Sequence, residues 1–224
     1  MSYVQTLRVL FCLLLAGAVV RPVAALDVDR AKDIYGPCAA CHGPFGAGGK
    51  KGEYPRVAGQ SPKYLEQQLK AFANQTRINL PMYPYTRERE LPEEDMKLVS
   101  AYLAQIELPM RPPTFKESDG ALTRLLAMEK VMIIPRVEGN IESGKAVYQK
   151  SCAVCHGKTG QGRGMFPMLV GQYTNYLKKQ IDAYLSADRA HDEEGASTGV
   201  LYTLKAGTIQ DVLAYLTTIQ DVEQ

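Results

Sequence analysis

Cys38-Ala-Ala-Cys41-His42-Gly43 returns 114 residues later as Cys152-Ala-Val-Cys155-His156-Gly157. The copying continues downstream. Tyr54-Pro-Arg-Val-Ala-Gly-Gln60 returns as Phe166-Pro-Met-Leu-Val-Gly-Gln172. Tyr64-Leu-Glu-Gln-Gln-Leu-Lys-Ala-Phe72 returns as Tyr176-Leu-Lys-Lys-Gln-Ile-Asp-Ala-Tyr184. Arg77 matches Arg189, and Ala101-Tyr-Leu103 matches Ala214-Tyr-Leu216. Five matches in the same order make this a domain duplication. Each unit is about 80 residues long, too large for a solenoid repeat of the short kind.

The secondary structure reads as all-α. Asp27 to Tyr35 and Asn140 to Lys150 are expected to be short helices that stop before each cysteine motif. The glycine-rich stretches 43–52 and 157–164 read as loops. Ser61-Pro62 opens a helix to about Asn74, with Ser as cap and Pro in the first turn. Tyr173 to Leu185 is its copy. Pro92-Glu-Glu-Asp95 opens a helix to about Glu107, with acids at its positive end, and Ala206 to Ile219 is the copy. Between the units, Leu108 to Gly139 begins with Pro109, Pro112 and Pro113, as a linker does. Its later part, Ala121 to Ile134, is amphipathic and is expected to form a helix across the domain interface.

Residues 1–25 read as an export signal. Arg8 precedes a twelve-residue apolar run, Val9 to Val20, and Val23-Ala-Ala25 offers a cleavage site. That run is short of the ~20 residues a membrane span needs. No other stretch is apolar enough to cross a bilayer. The expected division is 1–25 signal, 26–108 first domain, 109–138 linker and 139–224 second domain. Removing Arg8 and Arg21 leaves 24 basic residues against 24 acidic ones. Bulk charge therefore gives no support to nucleic-acid binding.

After processing, four cysteines remain, Cys38, Cys41, Cys152 and Cys155, and the whole chain has three histidines, His42, His156 and His191. Two thiols two residues apart can add to the two vinyl groups on one edge of a haem. The next residue, histidine, then reaches iron from below. A disulfide leaves that histidine unexplained in both copies. A zinc site lacks a fourth ligand, and a redox dithiol lacks a βαβ setting. Two covalently attached haem c groups are therefore expected, held by Cys38 and Cys41 with His42, and by Cys152 and Cys155 with His156.

These motifs, together with Tyr54 to Gln60, Arg77, Met82 and Ala101 to Leu103, resemble a tandem class I cytochrome c, nearest the di-haem c4 type. The resemblance covers roughly 27–108 and 138–220. It implies short helices around each haem and periplasmic electron transfer with redox proteins as partners: a respiratory oxidase, reductase or dehydrogenase. Docking at the membrane surface is compatible with it. The long linker leaves the relative orientation of the domains open.

The family's distal ligand is usually a methionine between the middle and last helices. Met82 lies there, in Asn79-Leu-Pro-Met82-Tyr-Pro, where the prolines are expected to hold an extended loop. Met96 matches Ile209 and reads as core. In the second domain the matching position is Glu194 or Gly195, and no methionine follows Met168. His191, aligned with Asn79, is the substitute. An open iron, or Met165 or Met168, remains an alternative. A Met/His pair raises haem potential relative to other axial sets, so the first haem is expected to be the high-potential one, with electrons running from the second haem to it. Tyr54, Gln60, Phe166 and Gln172 are expected to line the haem pockets. Arg77 and Arg189 either pair with propionates or face solvent. The leading function is electron carriage. The alternative is an oxidoreductase, or its cytochrome subunit, acting on a small inorganic substrate at the second haem.

Overall fold

The structure is a computed structural model that describes residues 26–189, 191 and 198–221. The export signal and the Glu194–Gly195 position lie outside these residues. Among the described residues there are helices and no strands; the only ladder-like contacts are the bridges Gly49 to Tyr54 and Arg163 to Phe166, one per domain.

In the first domain, α1 spans Val28–His42, capped by the Asp27 carboxylate accepting from the Arg30 amide. It runs through the cysteine motif instead of ending before it. Gly43, at φ 76, is what stops it. Nothing in Cys-Ala-Ala-Cys-His opposes a helix, so the first residue able to leave the right-handed region sets the end. α2 (Pro62–Ala73) starts at the Ser61 cap with Pro62 at its first position. The short α3 (Tyr83–Thr86) precedes α4 (Glu93–Ala104), whose first turn carries Glu93, Glu94 and Asp95. Arg30 bridges from α1 to Glu94 and Asp95. Tyr35, Leu65, Val99 and Leu103 form the core where α1, α2 and α4 meet.

The second domain repeats this with one local change. α6 (Ile141–Val147), a π-helical turn (Tyr148–Cys152) and α7 (Ala153–His156) follow one another and together replace α1. Gly157, at φ 81, ends the run. α8 (Thr174–Leu185), α9 (Thr198–Thr203) and α10 (Ala206–Thr218) complete it. Tyr148, Tyr215 and Leu216 are its buried cluster. Gly144 lets α6 lie directly on α10, because a Cβ there would overlap the Asp211 carbonyl.

The linker helix α5 (Ala121–Glu129) forms, but it does not lie across the interface. It buries no residue, and Leu122 and Leu125 are 67% and 57% exposed. The linker is anchored on either side of it instead. Leu108, Met132 and Ile134 join Ala58 in a buried cluster. The Gln220 amide brackets Ile134, accepting from its N–H (2.9 Å) and donating to its carbonyl (2.6 Å).

The domains are locked face to face by exchanged contacts. Gln60 accepts from the Met168 N–H and donates to the Met168 carbonyl, both at 2.9 Å. Gln172 does the same to Arg56, at 3.0 and 2.9 Å. These two glutamines therefore hold the opposite domain's backbone. Arg77 donates to Tyr176 and Gln180 across the interface; Arg189 donates to Tyr64 and Gln68. The solvent-facing reading of both arginines is thereby corrected. Every pair maps onto the other by the same offset of 112 residues, so the interface is a pseudo-two-fold one. Arg56 sits near its middle, between Gly59 and Gly171. Its Nε donates to the Ala58 carbonyl while Nη1 has no partner, and burial pushes its pKa down to about 10.

Each bracketing glutamine satisfies two buried backbone groups, and stranding such groups costs about 1–3 kcal/mol. Gln60→Ala with Gln172→Ala should therefore lower stability by a few kcal/mol in chemical denaturation and speed proteolysis within 109–138. Gly144→Val should cost about 1–3 kcal/mol by overpacking and lower the melting of the second domain ahead of the first.

Candidate haem-binding and axial-ligand sites

Each CxxCH motif lies on the last turns of a helix, so the histidine and the first cysteine, one turn apart, lie on the same side of the helix. No two of Cys38, Cys41, Cys152 and Cys155 are joined. Burial raises the Cys38 thiol and pushes Cys152 up to about 11. That runs opposite to the lowered value of a reactive dithiol. Among the described residues no group of three or more His, Cys, Asp and Glu converges as a zinc site requires.

The two proximal histidines are prepared in the same way. His42 is 7% exposed and His156 is 8% exposed. The His42 Nδ1 lies 2.9 Å from the Pro55 carbonyl, and the His156 Nδ1 lies 2.9 Å from the Pro167 carbonyl. A carbonyl only accepts, so Nδ1 carries the proton and Nε2 keeps its lone pair. Second-shell bonds of this kind fix the tautomer of metal-binding histidines. Burial lowers the pKa of both rings, against a smaller opposing pull from the proline carbonyls. Both imidazoles are thus held neutral and ready to donate to a metal.

The loops after the motifs pin these rings from the other side. The Gly48 N–H donates to the His42 carbonyl and the Gly162 N–H to the His156 carbonyl, both at 2.8 Å. Both glycines have positive φ, and a Cβ on either would collide with the backbone of the segment that carries the proline. Tyr54 stands edge-on to His42 (6.5 Å between ring centroids), and Phe166 stands edge-on to His156 (6.3 Å), so each packs against its histidine ring.

On the distal side the domains differ. Met82 is half-buried and sits in a turn, not an extended loop. Its N–H donates to the Asn79 carbonyl at 3.0 Å, and it leads into α3 with Pro84 in the first turn. Pro81 and Pro84 supply φ values that suit a helical entry, which is why the extended expectation fails. Met96 is core, 4% exposed. In the second domain, Met165 is 56% exposed and Met168 packs at the domain interface near Gly59. His191 faces His156, with ring centroids 6.2 Å apart. Imidazole nitrogens bond metals at about 2 Å, and a ring centroid lies about 1 Å behind its nitrogen. Two imidazoles on opposite faces of one ion therefore put their centroids about 6 Å apart. That spacing would leave room for both rings to donate to one metal ion.

Sequence reasoning missed three sets of residues. The Pro55 and Pro167 carbonyls act through the backbone, and only their repeated place in the copied stretch marks them. Tyr35 and Tyr148 each donate a buried hydroxyl to the carbonyl of the glycine after the motif, at 2.6 and 2.7 Å. Their signal was another repeat, three residues before the first cysteine in one copy and four before it in the other. Tyr184, edge-on to His191 at 4.8 Å, carried no signal of its own.

The family model described as Cytochrome c matches residues 28–107 and again 141–220. Cytochrome c4 of Thiocapsa roseopersicina is 32% identical over 184 residues, covering 81% of this chain and 86% of that protein. A thiosulfate dehydrogenase electron acceptor of Stutzerimonas stutzeri (strain A1501) is 30% identical over 187 residues, covering 83% and 80%. The solved cytochrome c4 from Pseudomonas stutzeri shares the fold, with a TM-score of 0.67 at 21% identity over 86% of this chain and 98% of that one. The doubled motif, the two neutral imidazoles above it and these matches converge: the chain belongs to the cytochrome c family as a di-haem electron-transfer protein with two covalently bound haem c groups.

Proposed function

We propose that the chain is exported to the periplasm, loses residues 1–25, and carries electrons from a dehydrogenase or quinol-oxidising complex to a terminal acceptor. The domains are 26–108 and 139–224, joined by 109–138. Each haem supplies a one-electron Fe(II)/Fe(III) couple when bound. Cys38 and Cys41 would hold the first, with His42 and Met82 as its metal ligands. Cys152 and Cys155 would hold the second, with His156 and His191 as its metal ligands. The observation that carries the reading is the 6.2 Å spacing of His156 and His191. A second site closed by two imidazoles has no open position for a substrate, which favours carriage over catalysis. A dehydrogenase as electron donor is supported by the relatives named as thiosulfate dehydrogenase electron acceptors.

Among the described residues no helix is long and apolar enough to cross a membrane. Lys50 is committed within its own turn, stacked over Tyr54 at 5.0 Å and paired with Glu53. Lys178 and Lys179 are exposed on α8, and they are the better candidates to orient a partner.

Axial ligand choice spans about 0.8 V of haem potential, and methionine lies toward the upper end. Redox titration should resolve two waves, the higher lost or lowered in Met82→Ala and the lower changed in His191→Ala. The oxidised wild type should show one Met/His and one bis-histidine signature in near-infrared and electron paramagnetic resonance spectra. Two equal midpoints with two Met-ligated irons would overturn the assignment. Rapid binding of carbon monoxide or cyanide by the native protein would overturn carriage in favour of a catalytic second haem.

A further inference from the structure

The second domain departs from the first at two aligned places on its distal side. Phe72 is matched by Tyr184, and Asn79 by His191. Both domains stack an arginine on the ring at the first of these places: Arg77 lies 4.6 Å from the Phe72 centroid and Arg189 lies 4.7 Å from the Tyr184 centroid. Only in the second domain does the stack go further. The Tyr184 ring meets His191 at 4.8 Å and an interplanar angle of 83°. Arg189 is itself fixed. Its N–H donates to the Ala183 carbonyl, and its guanidinium donates to Tyr64 and Gln68 of the first domain and to Gln180 of its own.

We infer that Tyr184 and Arg189 are positioning residues for His191, setting the plane of its imidazole and tying it to the domain interface. The inference rests on the bis-histidine reading of the second haem. A histidine on a loop has two free side-chain torsions, and coordination alone leaves the ring able to rotate about the metal–nitrogen bond. A flat neighbour standing perpendicular to it removes that freedom. His156 and His191 are held with their planes 61° apart, an angle to which the low-spin ferric spectrum of a bis-imidazole iron is sensitive. Because Arg189 lies two residues before His191 and grips the first domain, docking of the domains and seating of the distal ligand become one event. The first domain has Asn79 at the matching position, so this coupling is confined to the second domain.

The test uses the matured two-haem protein. Wild type, His191→Ala, Tyr184→Phe, Tyr184→Leu and the pair Tyr64→Phe with Gln68→Ala are compared by electron paramagnetic resonance and by the rate of cyanide binding to the second haem. Tyr184→Leu should shift the low-spin g-values of that haem and speed cyanide binding about tenfold, the factor an aromatic contact supports. Tyr184→Phe keeps the ring and should restore wild-type behaviour. The Tyr64 and Gln68 pair, which removes the cross-domain grip on Arg189, should speed binding without touching the second domain. If Tyr184→Leu does not mature, Arg189→Lys carries the same expectation through loss of the flat guanidinium. A wild type without a bis-histidine signal sinks the ligand assignment, and this inference with it. A wild type with that signal, and Tyr184→Leu or Arg189→Lys unchanged in both readouts, sinks the positioning role alone.

Discussion

One hydrogen bond, made twice, organises the molecule: a proline carbonyl accepting from Nδ1 of the histidine that follows the cysteines. It decides which ring nitrogen is free. It also decides where the copied segment Tyr54 to Gln60, and its counterpart, must run, because the carbonyl has to reach a buried ring. The glycines at 48 and 162 exist to let that segment close on the motif. Once the segment is in place, its far end, Gln60 or Gln172, points at the neighbouring domain. The site and the interface are thus two ends of one short stretch of backbone.

The same dependence explains how two nearly equal domains come to differ. The proximal halves share the same chemistry: buried imidazole, carbonyl partner, edge-on aromatic, tyrosine hydroxyl on the next glycine. Those features would hold the proximal side of each haem in the same way. On the proposed assignment the change of donor falls on the distal side, from the thioether of Met82 to the imidazole of His191. A change there alters electronic character without disturbing attachment.

Much of this was legible in the chain itself. The doubled CxxCH, the capped helix at Ser61-Pro62, the acidic first turn at Glu93 and the core character of Met96 all follow from local chemistry. Local reasoning failed where the partner was remote or was backbone. The amides of Gln60 and Gln172 meet peptide groups more than 100 residues away, and no pattern near them announces it. The helix through Cys38 has no local stop signal within the cysteine motif, and it ends only at Gly43. The linker helix has an apolar face, which periodicity reports faithfully, but periodicity does not say that anything covers it. His191 was visible because so few histidines compete with it, whereas Tyr184 was hidden among thirteen tyrosines.

The exchanged glutamines and arginines have one more implication. A surface that pairs with its own copy would serve just as well between two separate single-haem molecules, whose association would then rise and fall with dilution. Placing both copies on one chain removes that dependence, since a tether of about thirty residues keeps the faces at an effective concentration near the millimolar range. Two unlike redox centres consequently stay in a fixed one-to-one ratio, with no mixed or self-paired assemblies, however scarce the protein becomes.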